Sequence, residues 1–227
     1  MTAALYLYAL LGTRPPRGRW RGLRNEPLRF RRIGGVVVAA GSLTAAPAPS
    51  APALRRHDAV VRRLARAVPA VLPMRFGMAV ADARTLERLI ASRAPALRRA
   101  LARVKGREQM TLRLFGTGGP AAPRAASRLA AQDGPGTRYL AARHRPWRRA
   151  APVVARLRTG LEGLIRDERV EPSEAPPLLA SVYHLVDRGQ TRAYRRAVKE
   201  IACRLDDIRV VSSGPWAPYA FAPEPGD

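Results

Sequence analysis

Residues 54–115 and 138–213 each run through one succession of helix, strand, helix, strand. Alternating 3.6-residue and two-residue apolar periods call for antiparallel sheets backed by helices, because each element has only one face to bury. In the first pass His57, Val61, Leu64 and Val68 recur at helical spacing over 54–68. The short apolar run Val71-Leu72-Pro73-Met74-Arg75-Phe76-Gly77 follows. Its internal proline offers no N–H to a ladder, which assigns the run to a sheet edge or a bulge. Asp82 is a suitable N-cap for the next helix. The apolar stripe of that helix is Leu86, Leu89, Ile90, Leu97, Leu101 and Val104, and Pro95 is expected to kink it. Met110, Leu112 and Leu114 alternate with polar residues in a closing strand.

Ahead of this lie a strand over 2–11 and a hairpin, 28–33 and 36–40, turning at Gly34-Gly35. In the first strand, Leu5, Leu7 and Ala9 are expected on one face and Tyr6, Tyr8 and Leu10 on the other. An Ala/Pro run over 45–52 reads as a surface linker. In the second pass, 138–167 is largely helical, with Pro146 and Pro152 expected to break or restart it. A strand over 178–186, a helix over 190–205 capped near Asp187 and a strand over 207–213 complete it. The chain is thus expected to be α+β, with two tandem modules. The first, 1–115, is a ferredoxin-like variant in which helices cover an antiparallel sheet. A Gly/Pro/Ala-rich linker over 116–136 leads to a smaller module over 137–227, whose tail, 214–227, is aromatic.

A hydrophobic content of 47% in 227 residues suffices for real cores. The lone Cys203 excludes an internal disulfide, fits a reducing cytosol and, on a helix beside Ile201 and Leu205, is expected to be buried. The N-terminus opens on a strand pattern without the features of a signal peptide. No apolar run approaches the ~18 residues of a membrane span. The net charge is +24, from 41 basic and 17 acidic residues, and Lys105 and Lys199 are the only lysines. GC-rich coding explains arginine over lysine but not the scarcity of acids, since Asp and Glu also have GC-rich codons. Such a field attracts nucleic acid, anionic lipid or an acidic protein surface.

Enzyme signatures are sparse. His57, His144 and His184 lack metal-ligand spacing, and His57 and His184 fall at positions expected of hydrogen-bonded core or interface residues. His57 and Asp58 are adjacent on a helix, so their side chains diverge and make a poor catalytic dyad. Gly116-Thr117-Gly118-Gly119-Pro120 lacks the Gly-Lys-Ser/Thr ending of a phosphate loop. Arg14, Arg17, Arg19, Arg21 and Arg24 surround Trp20, while Arg143, Arg145, Arg148 and Arg149 surround His144 and Trp147. Arginines interleaved with aromatics are what single-strand binders use. The plainer alternative is a solvated loop and a solvated helix face. Nucleic-acid binding, if it occurs, is expected to be non-specific.

The end of the chain, Ser213-Gly214-Pro215-Trp216-Ala217-Pro218-Tyr219-Ala220-Phe221, sets three aromatics on a proline-stiffened ribbon. Gly214-Pro215 is expected to stop the preceding strand, and the ribbon to fold back, because three exposed aromatics would form an aggregation-prone patch. Four landmarks now stand in order: Leu5-Tyr6-Leu7-Tyr8; His57-Asp58-Ala59-Val60-Val61 with Val71-Leu72-Pro73-Met74-Arg75-Phe76-Gly77; Tyr183-His184-Leu185-Val186-Asp187-Arg188; and the Gly-Pro-Trp-x-Pro-Tyr-x-Phe tail. Together they make the chain resemble the GvpL/GvpF family of gas vesicle proteins. The resemblance implies a non-catalytic, cofactor-free cytoplasmic protein associated with gas vesicles. Such a protein helps assemble the vesicle wall by contacting the hydrophobic shell protein GvpA and other accessory proteins. Candidate interface or structural residues within the landmarks are Leu72, Pro73, Arg75, Phe76, Asp187 and Arg188. Pro215, Trp216, Pro218, Tyr219 and Phe221 join them from the tail. For Asp187 the plainer role is a helix cap, and for Arg75 a local ion pair. A basic nucleic-acid-binding protein is the alternative, and an enzyme on the same scaffold a further one.

Overall fold

β1 (Ala4–Leu11) is the strand around which the first unit forms. The computed structural model describes residues 4–117 and 135–223, and side chains within 135–146 are left out of the description. The expected linker over 116–136 and the side chains of Arg143, His144 and Arg145 therefore lie largely or wholly outside the described residues. β1 pairs antiparallel with β3 (Val36–Leu43), which pairs with β2 (Leu28–Ile33). On its other side β1 pairs with the short β4 (Val71–Pro73) and β5 (Ala79–Val80). The sheet order is β2-β3-β1-β4, so Pro73 does lie on an edge strand.

The expected alternation along β1 holds only to Tyr8. A bulge between Leu7 and Ala9 shifts the register, as a bulge inserts one residue without a partner. Ala9 and Leu11 thereby join the face of Tyr6 and Tyr8, which packs on α1 (Ala51–Ala67) through Val61 and Leu64. Leu10 moves to the face of Leu7, against α2 (Ala83–Val104). α1 begins earlier than its apolar stripe: Ser50 caps it, accepting from the Ala53 N–H at 3.3 Å, and Pro52 occupies the first turn. Proline is favoured there because its missing N–H would have no helical partner. Asp82 caps α2 as expected, accepting from the Thr85 N–H at 2.7 Å, and the helix runs on through Pro95. At the β2–β3 turn Gly34 and Gly35 have φ of +54° and +85°. A Cβ on Gly34 would also come within 2.5 Å of the Ala94 methyl.

β6 (Arg107–Gly116), expected to close the first sheet, belongs instead to the second, whose order is β7-β8-β6-β9. The two compact units are residues 1–109 with 216–227, and residues 110–215. Alternation reveals a strand but not its sheet, because pairing is decided by contacts distant in sequence. In the second unit β6 leads to α3 (Pro135–Gly160), β7 (Ile165–Pro172), β8 (Leu178–Asp187), α4 (Thr191–Ala202) and β9 (Ile208–Trp216). This β-α-β-β-α-β succession is the ferredoxin-like one. The class is the expected α+β, with two antiparallel sheets and four helices among the described residues.

Three local expectations are corrected. α3 continues through Pro146 and Pro152 rather than restarting. β9 passes through Gly214-Pro215, a cis peptide, to reach Trp216. Cys203 is exposed at the end of α4, outside the core formed by Met110, Leu112, Leu157, Val182 and Tyr194.

Candidate functional site

The loop after β4 is fixed from several directions at once. Its Met74 N–H donates to the Tyr8 carbonyl and its Met78 carbonyl accepts from the Leu7 N–H, both at 2.9 Å. The Gly77 N–H donates to the Tyr6 hydroxyl at 3.1 Å, and Gly77 has φ of +89°, which favours glycine. His57, 2% exposed on α1, reaches the Met74 carbonyl through Nε2 and the Tyr6 hydroxyl through Nδ1, each at 3.0 Å. A carbonyl only accepts, so Nε2 carries the proton and Nδ1 accepts from Tyr6. Phe76 completes the cluster, its ring 5.8 Å from His57 and 6.3 Å from Tyr6. Beside it the Tyr8 hydroxyl donates to Glu26 and accepts from the Leu23 N–H.

Burial holds the His57 pKa below its ordinary 6.5, outweighing the Met74 carbonyl and Asp58, which act the other way. The unfolded chain then takes up a proton at higher pH than the folded one. The stability this site contributes is present above about pH 6.5 and is lost as pH falls through the folded pKa. The melting temperature is expected to fall between pH 7 and pH 5, and His57→Gln to flatten that slope. A wild-type melting temperature constant across the interval would refute the assignment.

The fixed loop forms one wall of an apolar groove of about 90 Å³. Leu7, Leu10 and Leu72 form its floor, and Leu89, Ile90 and Leu97 of α2 face them. Pro73, Met74, Arg75 and Met78 line the loop side, and Tyr219, Ala222 and Pro223 of the tail close the groove. Leu89 is 37% exposed at the rim. Among the described residues no serine, cysteine or histidine lines the groove, which offers apolar contact edged by Arg75 and Arg93.

The tail folds back within the first unit. Ala217, Pro218 and Phe221 are buried, and the Arg103 guanidinium lies 5.6 Å from the Phe221 ring centroid. The Ala220 N–H donates to Gln109 Oε1 at 2.8 Å, and the Tyr219 hydroxyl faces Asp58 Oδ1 at 3.4 Å. Burial, then the Asp58 charge, raises the Tyr219 pKa, so the phenol stays protonated. Trp216 is only half-buried, and Pro215 is exposed at the end of β9.

Leu72, Pro73, Arg75 and Tyr219 thus meet at one groove, while Phe76, Pro218 and Phe221 support its surroundings. Asp187 and Arg188 do not join them: both lie in the second unit. Asp187 is not the side-chain cap expected for α4, since Gln190 holds that position without a side-chain bond. Its carboxylate instead accepts from Arg166 Nε at 2.7 Å. His184, fully buried, bonds the Tyr194 hydroxyl at 2.7 Å and Glu168 Oε2 at 3.0 Å. Leu89, Ile90 and Leu97 read in sequence only as a core stripe, and nothing in that stripe marks Leu89 as a rim residue. Trp20 is tied into the fold: its indole N–H donates to the Pro16 carbonyl, Phe30 meets its ring, and Arg63 lies 5.1 Å from the ring centroid. Among the described residues no group of three His, Cys, Asp or Glu could hold a metal, and no helix is long and apolar enough to cross a membrane.

The family described as gas vesicle synthesis protein GvpL/GvpF matches residues 4–223. Gas vesicle protein L of a Streptomyces species is 30% identical, covering 96% of this chain and 92% of the relative. Gas vesicle protein F2 of Halobacterium salinarum is 28% identical over 87% of this chain and 80% of its own length. The crystal structure of GvpF from Microcystis aeruginosa superposes with a TM-score of 0.79 at 20% identity, covering 97% of this chain and 99% of that one. That of GvpF from Anabaena gives 0.77 at 17% identity, covering 98% and 97%. Matched over nearly its whole length, the chain belongs to the GvpL/GvpF family of gas vesicle proteins, and a role in gas vesicle formation follows from that membership.

Proposed function

We propose that this chain is a non-catalytic assembly factor that works in the cytoplasm and at gas vesicles. It holds the small hydrophobic shell protein GvpA by its apolar face and acts alongside other accessory proteins. The observation that carries this reading is the convergence of Leu72, Pro73, Arg75 and Tyr219 on one apolar groove in a chain of this family. A shell subunit with a large apolar surface aggregates in water unless a partner covers it before assembly. The groove supplies apolar contact, and β4 beside it is an edge strand, a further surface for pairing. Its walls are pinned by hydrogen bonds to β1, so little ordering cost falls on binding. A single-strand-binding role is less well supported, because the packing and the Arg63 guanidinium restrict the Trp20 ring as a stacking platform.

Leu89→Glu tests the groove directly. Leu89 is exposed, so stability should change by no more than about 0.5 kcal/mol. A carboxylate buried against the apolar face of GvpA without a partner should weaken capture by about tenfold or more. Co-purification of tagged GvpA with wild type and variant, beside their melting curves, measures both. Undiminished capture by Leu89→Glu would exclude the groove.

A further inference from the structure

The second unit carries a cleft whose chemistry differs from that of the groove. Arg148, Arg149 and Arg156 of α3 form one side, and Arg204, Asp206 and Asp207, between α4 and β9, form the other. Its volume is about 370 Å³, within the range of sites that take small ligands or peptide side chains. Val153 and Ile208, both buried, give it an apolar base, and Leu205 adds a half-exposed side chain. All four arginines are exposed, and among the described residues no ion pair joins any of them to a carboxylate.

The cleft is held in shape. The Thr117 N–H donates to the Asp207 carbonyl at 3.1 Å, and the Thr117 hydroxyl lies 3.4 Å from the Asp206 carbonyl. Those bonds fix the loop that carries both aspartates to the end of β6. The Arg149 guanidinium lies against Gly116, where a Cβ would stand 3.1 Å from Nη1. Glycine at that position leaves the guanidinium its place.

We infer that this cleft docks an acidic, apolar-containing peptide segment of a protein partner. Four guanidinium groups against two carboxylates leave the cleft net positive, so it complements clustered Asp or Glu side chains through bidentate, charge-assisted bonds. The Val153–Ile208 base takes an apolar side chain between them. Asp206 and Asp207 decide against a polyphosphate backbone, which they repel, whereas the N–H groups of a peptide can donate to them. Among the described residues no aromatic ring lines the cleft to stack a base, as sequence-tolerant single-strand sites require. This surface is independent of the groove proposed to hold the shell protein.

The test uses the full chain at ~150 mM salt and a fluorescein-labelled peptide of alternating glutamate and leucine, followed by fluorescence anisotropy. The triple variant Arg148→Gln/Arg156→Gln/Arg204→Gln is compared with Arg17→Gln/Arg19→Gln/Arg24→Gln, which removes the same charge from the first loop. The single reversal Arg204→Glu, in an exposed turn, provides a second reading should the triple fold poorly. Binding should weaken by about tenfold or more in the cleft triple and in Arg204→Glu, and by less than about threefold in the loop triple. Equal losses in the two triples would reduce the effect to overall charge and overturn the assignment. So would absence of wild-type binding at ~100 μM peptide. An oligothymidylate that binds tighter than the peptide and loses that affinity in the cleft triple would make the cleft a nucleic-acid site instead.

Discussion

Phe221→Ala is expected to lower the stability of the protein by about 3–5 kcal/mol, the range for truncating a fully buried phenylalanine. At roughly 2–4 °C per kcal/mol for a chain of this size, the melting temperature should fall by about 6–20 °C. Phe221 is 6% exposed, under the Arg103 guanidinium, and its backbone closes the short helical turn Tyr219–Phe221. Removing the ring leaves a cavity and one cation–π contact fewer. Trp216 is the more conspicuous aromatic in the sequence, but it is half-buried, so Trp216→Ala should cost distinctly less. Because Tyr219, Ala222 and Pro223 line the groove, loosening the turn should also open that wall. Differential scanning calorimetry of both variants, with limited proteolysis of the tail, checks the order of the two effects. An unchanged melt for Phe221→Ala would mean that the tail does not hold the first unit together.

The parts of the fold legible in the sequence are those with a local cause. Asp82 caps α2 because a short carboxylate before an apolar stripe has one good use, and Gly34-Gly35 turns a hairpin because the turn demands positive φ. Pro73 marks an edge because the ladder needs an N–H that proline lacks. The parts that escaped depend on partners distant in sequence. The expected helix over 138–167 takes in only the first residues of β7, and the rest of the strand carries no apolar signal because Arg166-Asp167-Glu168-Arg169 is rich in charge. Its alternation shows only once Glu168 is seen against His184 and Arg158. The sheet that β6 would join was not encoded in its own alternation, nor was the exposure of Cys203. The groove was half-legible: its landmark residues were marked, but their meeting through His57 and Tyr6 requires the fold. Asp187 and Arg188 looked equivalent to Arg75 in sequence, yet belong to the other unit.

Tyr6→Phe should show how far the groove depends on that meeting. The substitution removes a single oxygen, and the ring keeps its volume and its contacts with Tyr8, His57 and Phe76. The oxygen is fully buried with its ring, donates to His57 Nδ1 and accepts from the Gly77 N–H. Its loss strands an acceptor on α1 and a donor in the groove loop. Each stranded buried group costs about 1–3 kcal/mol, so the pair should cost about 2–5 kcal/mol where the two losses nearly add. The expected effect extends beyond stability. With the Gly77 bond gone, the loop from Met74 to Met78 keeps its backbone bonds to β1 and the His57–Met74 bond but loses its hold at the turn. Capture of GvpA should therefore weaken well below the melting temperature, and the Gly77 amide should exchange with solvent faster. Tyr183→Phe is the control: its half-buried hydroxyl donates to Glu171 Oε2 at 2.9 Å in the second unit. It should cost about 1 kcal/mol at most and leave capture unchanged. A Tyr6→Phe variant that melts and captures like wild type would show that the buried network does not position the loop, and that backbone pairing with β1 alone does.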